Sequence, residues 1–337
     1  MNGNHTLAIP VIGAGSWGTA LAMLLARNGH RVPLWDHDPE HVERLRGEGE
    51  NARYLPGIPL PEGILPTASL EEALQGADLL LVVVPSHVFR HVLESLRPLM
   101  RPDLPLLWAT KGLEQGTTKL LHQVVAETVG EDHPCAVISG PTFAGEVARG
   151  MPSAVTVAST DDELSERVAR ALHNSSFRAY TSDDVVGVEI GGAVKNVMAI
   201  AAGIADGLGF GANARAALIT RGLAEIQRLG LALGARQSTF LGLAGVGDLV
   251  LTCTDDQSRN RRFGLALARG ASEERAREEI GQVVEGAGTT EVVHRLAMNL
   301  GIEMPITRQV YEVLYRGGDP REAVQALFSR ALKPEEG

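Results

Sequence analysis

Short, continuously apolar runs alternate with helical periodicities through the first half of the chain. Helical periodicities alone fill the second half. The runs "TLAIPVI", "HRVPLWD", "DLLLVVVP", "LPLLWATKG", "CAVISGP", "SAVTVAST" and "FRAY" read as strands. Helical stretches such as "TALAMLLARNG" separate them. Strands that are apolar at every position, alternating with helices, predict a mostly parallel sheet covered on both faces. After Val186 the strand signal nearly vanishes. Helices are predicted at Val188–Asp206, Ala212–Leu233, Arg261–Arg269, Thr289–Leu300, Ile306–Tyr315 and Arg321–Ala331. The chain therefore reads as an α/β domain over residues 1–187, with the change of character near 181–188, and an all-α domain over 188–337. The terminal "KPEEG" is expected to fray.

The first helix opens on Gly13-Ala14-Gly15-Ser16-Trp17-Gly18. Glycine triplets recur by chance, but this one follows an apolar strand and begins a helix, the context of a dinucleotide fingerprint. Gly13 permits the tight turn, Gly15 lets backbone approach a pyrophosphate, and Gly18 allows close helix–strand packing. The helix N-terminus faces the phosphate charge. The helix is expected to end at Asn28-Gly29. A Rossmann-type domain follows from this context. Pro10 conflicts with it, because proline removes a ladder donor from a central strand unless the strand is bulged or slightly shifted.

Asp36 ends the second strand about twenty residues beyond the fingerprint, where an acid takes the ribose hydroxyls of NAD and repels a 2′-phosphate. A solvated turn aspartate is the plainer reading. His37 and the downstream Arg53 bring positive charge to the same region, so NAD and NADP both stay open.

Composition narrows the function. Of 337 residues, 44% are hydrophobic and 21% charged, as in a globular domain pair, and the net charge of -10 disfavours nucleic acid or acidic lipid as a partner. Cys135 and Cys253 are far apart, with no cluster of metal-ligand spacing, so no metal is expected. Neither a signal peptide nor an uninterrupted membrane span is apparent, and cytoplasmic location is the expectation. The long helices leave a homodimer open.

Ligands of open α/β sheets bind beyond the carboxyl ends of the strands. Lys111-Gly112 and the stretch from Ser139 to Glu146 lie at such ends. Lys111 there is either an ordinary solvated lysine or a cation for an anionic ligand. Gly140-Pro141 is either a turn or a close approach of backbone to ligand.

The helical half holds two unusual charge patterns. In "EIGGAVKNVMAIAAGIADG", Lys195 has Gly191, Gly192, Met198 and Ala199 at helical neighbour spacing, so its own helix offers no ion-pair partner. A lysine whose head snorkels to water is the plain reading. In "AGVGDLVLTCTDDQSRNRRFG", Asp248 precedes an apolar run. Ser258 to Arg262 then offers a hydroxyl, an amide and guanidinium forks within five residues, a donor set matched to phosphate. Arginines at a helix N-terminus oppose the macrodipole unless an anion lies nearby.

The order of "GAGSWGTALA", "VVVPSH", "WATKGLE", "SGPTFA", "GGAVKN", "GFGANARAALITRGLAE", "GDLVLTCT", "SRNRRFG" and "QVVEG" resembles the bacterial NAD(P)-dependent glycerol-3-phosphate dehydrogenases over practically the whole chain. The resemblance implies reversible reduction of dihydroxyacetone phosphate, a phosphorylated small molecule, to sn-glycerol 3-phosphate for phospholipid synthesis. It assigns Lys195 to the proton-acceptor position. Lys111, Gly140, Thr142, Asp248, Ser258, Arg259 and Asn260 match substrate contacts. Ser16, Trp17, His37, Lys111, Ala144, Arg259, Val283 and Glu285 match cofactor contacts. Pro10 and the acid Asp36 before His37 depart from many relatives.

Ketone reduction needs a hydride and a proton for the developing alkoxide. Lys195, on an apolar helix expected to face an interdomain cleft, is suited to supply that proton. Burial and the cations Lys111 and Arg259 are expected to push its pKa down. Asp248 is expected to orient Lys195 or a substrate hydroxyl, Asn196 to hold the substrate, and Arg259 and Asn260 to bind the phosphate. A dehydrogenase of a β-hydroxyacid or ketopantoate-like carboxylate is the nearest alternative. A catalytically silent nucleotide sensor is the alternative of a different class.

Overall fold

The computed structural model describes residues 6–329. The expected fraying of "KPEEG", and the end of the last predicted helix at Ala331, lie outside them. Two compact units make up the chain: one runs to Glu114 and resumes from Lys119 to Glu189, and the other comprises Gln115–Thr118 and everything from Ile190 onward.

The first unit is built on an eight-stranded sheet. Its strands are β1 (Val11–Ile12), β2 (Val32–Trp35), β3 (Ile64–Thr67), β4 (Leu80–Val82), β5 (Leu106–Trp108), β6 (Cys135–Ser139), β7 (Ser153–Ala158) and β8 (Phe177–Ser182). They lie in the order β3-β2-β1-β4-β5-β6-β7-β8. Every pairing is parallel except β6 with β7. The chain lays β1 to β3 outward in one direction and then returns to β4 on the other side of β1. That reversal is a topological switch point, and the carboxyl end of β1, where the glycine turn sits, is its ligand-binding edge. Val11, Leu34 and Leu81, in register across the three central strands, are almost solvent-free and join Leu21 and Leu25 of the first helix in the core. Burial of each such side chain contributes roughly 1.5–3 kcal/mol.

Pro10 is accommodated by a shifted strand. β1 begins at Val11, directly after the proline, while the Pro10 carbonyl still accepts from the Leu81 N–H at 2.9 Å. The backbone ahead of it is tied to the second strand by Ile9 N–H donating to Arg31 O at 2.9 Å. β3 was not among the expected strands, because "ILPT" is short and contains a proline.

In the second unit, helices occupy Gly211–Ala232, Arg259–Ala268, Glu285–Leu300, Pro305–Arg316 and Pro320–Phe328, close to their predicted spans. The helix Val185–Gly207 begins three residues earlier than predicted. Helices at Gln237–Phe240, Asp248–Thr254 and Glu273–Ile280 were not predicted. The first two are four and seven residues long, too short for a 3.6-residue period to show, and Glu273–Ile280 is mostly charged. Val185–Gly207 is long and apolar enough to cross a membrane, but its apolar window is largely buried within the protein. It packs against Arg259–Ala268 at backbone distance. A methyl group on Gly203 would meet Arg261 O at 2.1 Å, and one on Gly264 would meet Ile200 O at the same distance.

Candidate active site

In the first unit the fingerprint glycines separate by cause. Gly13 has φ +115°, a conformation side-chain-bearing residues rarely adopt, and a Cβ there would meet Val83 O at 2.6 Å. A Cβ on Gly18 would lie 1.9 Å from Gly13 O. Gly15 has nothing within 4 Å of its virtual Cβ, so it alone leaves room above the helix that starts at Ser16. The helix ends at Arg27 with Asn28 as its cap and Gly29 at φ +85°. Asn51, a residue without a sequence signature, is buried beneath the turn and donates through Nδ2 to Ala14 O and to Thr19 Oγ1, both at 2.8 Å. Trp17 packs against the core, and its buried indole N–H has no hydrogen-bond partner.

Beyond β2, Asp36 is buried and its Oδ1 accepts from Asp38 N–H at 3.0 Å, with His37 Nδ1 at 3.2 Å. The His37 ring itself is exposed. Three expected residues converge at one carbonyl. Lys111 Nζ donates to Gly140 O at 3.1 Å, and Thr142 Oγ1 donates to the same oxygen at 3.3 Å. Gly140 has a packing cause: a Cβ there would sit 2.9 Å from Ala154 O and from the Val155 Cα. Ala144 begins the short helix Ala144–Ala148 just beyond.

In the second unit Lys195 is buried, contrary to the snorkelling reading. Its Nζ donates to Asp248 Oδ1 at 2.5 Å and to Thr252 Oγ1 at 2.8 Å. The partner absent from its own helix comes from Asp248–Thr254, and Asp248 and Thr252 lie one turn apart there. Thr252 was not among the expected site residues. Its only signal is the i,i+4 spacing from Asp248, which means something once that segment is known to be helical.

The neighbouring residue, Asn196, is also buried, and its Oδ1 accepts from Asn260 Nδ2 at 2.9 Å. Asn260 Oδ1 in turn accepts from Gly286 N–H at 2.8 Å, so the amide pair ties the Lys195 helix to the start of Glu285–Leu300. Ser258 caps Arg259–Ala268, its hydroxyl accepting from Arg261 N–H at 3.2 Å. Arg259 Nη1 donates to Gln282 Oε1 at 3.1 Å. Burial lowers the Arg259 pKa, the charge of Glu285 opposes that, and Arg262 adds to it. Val283, next to Gln282 in the chain, is exposed.

Arg261 departs from the phosphate-cluster expectation. Its guanidinium donates to Asp206 at 2.7 Å, to Asp256, and through Nε to Cys253 O at 3.2 Å. These internal carboxylates, rather than a ligand, answer the conflict of this arginine with the helix macrodipole. Arg259, by contrast, is enclosed and donates to the neutral amide of Gln282.

The comparisons agree with this architecture. A family model described as NAD-dependent glycerol-3-phosphate dehydrogenase N-terminus matches residues 8–165, and its C-terminus counterpart matches residues 184–325. The chain is 57% identical over 332 residues to a glycerol-3-phosphate dehydrogenase (NAD(P)+) of Shewanella halifaxensis, covering 98% of each chain. It is 60% identical over 327 residues to the same-named protein of Thioalkalivibrio sulfidiphilus, covering 97% of this chain and 98% of that one. The crystal structure of glycerol-3-phosphate dehydrogenase from Coxiella burnetii superposes with a TM-score of 0.94 at 50% identity, covering 96% of this chain and 99% of that one. A two-unit dehydrogenase architecture, a built dinucleotide turn and whole-length identity above one half converge: the chain belongs to the NAD-dependent glycerol-3-phosphate dehydrogenase family.

Proposed function

We propose that the chain catalyses reversible hydride transfer between NAD(P)H and dihydroxyacetone phosphate, giving sn-glycerol 3-phosphate, with Lys195 as the proton donor and acceptor. The buried Lys195–Asp248–Thr252 group carries this reading. A lysine with 8% side-chain exposure, held by a carboxylate with 1%, adds little stability that an apolar pair would not supply, so a chemical role accounts for it better than a structural one.

The first unit has the features a dinucleotide needs. Gly15 leaves space at a helix N-terminus, where backbone N–H groups and the macrodipole favour pyrophosphate. Gly13, Ser16, Trp17 and Gly18 build the turn, and His37, Lys111 and Ala144 supply further contacts in this reading. When bound, the nicotinamide supplies the hydride. In the second unit, Lys195 gives its proton to the developing alkoxide and takes it back in the oxidative direction. Asp248 and Thr252 accept from Lys195 Nζ and so fix the position of the amine that exchanges the proton. Arg259 provides charge for the substrate phosphate, with Ser258 and Asn260 as polar partners, and Asn196 lies next to the proton donor in the chain. Val283 and Glu285 complete the cofactor set. Lys111, Gly140 and Thr142 form the substrate contacts of the first unit. Action in the cytoplasm fits an apolar helix, Val185–Gly207, that is spent on the protein's own core.

The test is oxidation of NADH and of NADPH at 340 nm with dihydroxyacetone phosphate, beside Lys195→Ala. Turnover with the phosphorylated ketone that disappears in the variant is the expected result. A folded protein that binds the cofactors yet turns over only β-hydroxy or keto acids would replace this reading, and one that turns over neither would make it a sensor.

A further inference from the structure

The turn after β2 gathers more charge than a ribose site requires. Asp38 caps the helix Pro39–Glu48, its Oδ1 accepting from Glu40 N–H at 3.0 Å. Its other oxygen lies 3.7 Å from Arg44 Nη2 and 3.9 Å from Arg53 Nη1. Arg53 also sits over the Tyr54 ring, 5.1 Å from its centroid. Two exposed guanidinium groups, one from a helix and one from the loop beyond it, thus share the Asp38 carboxylate at the carboxyl end of β2, while Arg44 Nη1 also lies 3.9 Å from Glu40 Oε2. That edge is where this fold presents the adenosine ribose. Asp36, the acid expected to choose between cofactors, already receives the Asp38 N–H and the His37 ring on one oxygen.

We infer that Asp38, by holding Arg44 and Arg53, is the residue that sets how strongly this chain distinguishes the 2′-phosphate of NADP(H) from the 2′-hydroxyl of NAD(H). The inference rests on the dinucleotide reading of the first unit. Arginines near the ribose take a 2′-phosphate, whereas a hydroxyl carries no charge to draw them. Here an internal carboxylate competes for the same two groups. Both pairs are long and solvent-exposed, which makes them weak. A phosphate dianion with three acceptor oxygens outcompetes them, at the cost of breaking both contacts. NAD(H) leaves them intact. Asp38 is ionised at neutral pH: the His41 backbone N–H lowers its pKa most, with Glu40 N–H and the Arg44 charge adding to the effect.

The test measures binding of 2′,5′-ADP and of 5′-AMP to the full-length protein by calorimetry, which needs no turnover. Asp38→Asn keeps the helix cap, since asparagine caps as well as aspartate, and removes the charge. It should tighten 2′,5′-ADP binding about three- to ten-fold and leave 5′-AMP unchanged. Arg44→Ala and Arg53→Ala should each weaken 2′,5′-ADP about ten-fold, again sparing 5′-AMP. A ratio of the two affinities that is the same in Asp38→Asn as in the unaltered protein overturns the inference. So does a ratio that neither arginine variant moves. Failure of the unaltered protein to bind either nucleotide removes the dinucleotide reading, and this inference with it.

Discussion

Lys195 Nζ lies 2.5 Å from Asp248 Oδ1, and the two residues stand on different helices, 53 positions apart in the chain. Each is buried, and each is the reason the other can be. Removing one partner of such a pair costs about 3–5 kcal/mol, because the remaining charge is stranded. Lys195→Met should therefore lower the urea midpoint, and Lys195→Met with Asp248→Leu should recover most of it. Both should be inactive, with a loss of about 10²–10⁴-fold if the lysine acts in general acid–base catalysis. Recovery of activity together with stability would show that the pair is structural.

Arg259 is expected to behave in the opposite way. Its enclosure lowers its pKa, so the protein gains little stability from the cation. Arg259→Ala should leave the thermal midpoint unchanged or raise it. The same change should reduce kcat/KM for dihydroxyacetone phosphate by about 10²-fold, the scale of a lost hydrogen bond to a charged group. An unphosphorylated ketone of the same shape should lose far less. Equal losses on both substrates would remove the phosphate role.

The glycine turn separates packing from binding. Gly18→Ala places a methyl group 1.9 Å from Gly13 O and should unfold the first unit or sharply lower its melting temperature. Gly15→Ala meets no atom within 4 Å, and Gly15 has φ -70°, which alanine adopts freely. It should keep or slightly raise stability, by up to about 1 kcal/mol, while weakening dinucleotide binding. Scanning calorimetry with and without cofactor distinguishes the two. A Gly15→Ala protein that binds as tightly as the unaltered one would place the pyrophosphate elsewhere.

Glu225 gives the second unit a pH dependence of its own. Its carboxylate is buried and accepts from Ile306 N–H at 2.6 Å and from Thr307 N–H and Oγ1, each at 3.2 Å. Burial nevertheless pushes its pKa up to about 7 from an ordinary 4.5, against the pull of those donors and of the Arg228 charge. A folded pKa above the unfolded one means that the folded state binds the proton more tightly. The contribution is fully present below pH 4.5 and is lost as pH rises through 7, a change of about 3 kcal/mol. Glu225→Gln should flatten the difference in melting temperature between pH 5 and pH 8. An unaltered slope in the variant would assign that dependence to other groups.

How much of this was legible beforehand differs from element to element. The glycine fingerprint was legible because its causes are local: a positive φ at Gly13 and a helix starting at Ser16 are properties of a few consecutive residues. The long helices were legible because Val185–Gly207 and Gly211–Ala232 repeat their apolar period over many turns. β3 and Asp248–Thr254 were not, since four residues with a proline and seven with an apolar run carry no period of their own.

The chain by itself determined that Lys195 has no partner on its own helix, that a strand–glycine–helix turn is present, and that strands give way to helices near residue 186. These follow from spacing along the backbone, which any conformation must respect. Only the tertiary structure decided that Asp248 and Thr252 meet that lysine and that Asn260 bridges Asn196 to Gly286. It likewise decided that Arg261 is consumed by Asp206 and Asp256 while Arg259 is not. Neighbouring arginines in one helix differ by 200° in the direction they project, so what each meets depends on the elements packed beside it. Charge pairing between distant segments has no signature in the order of residues, and it appears once the core has brought them together.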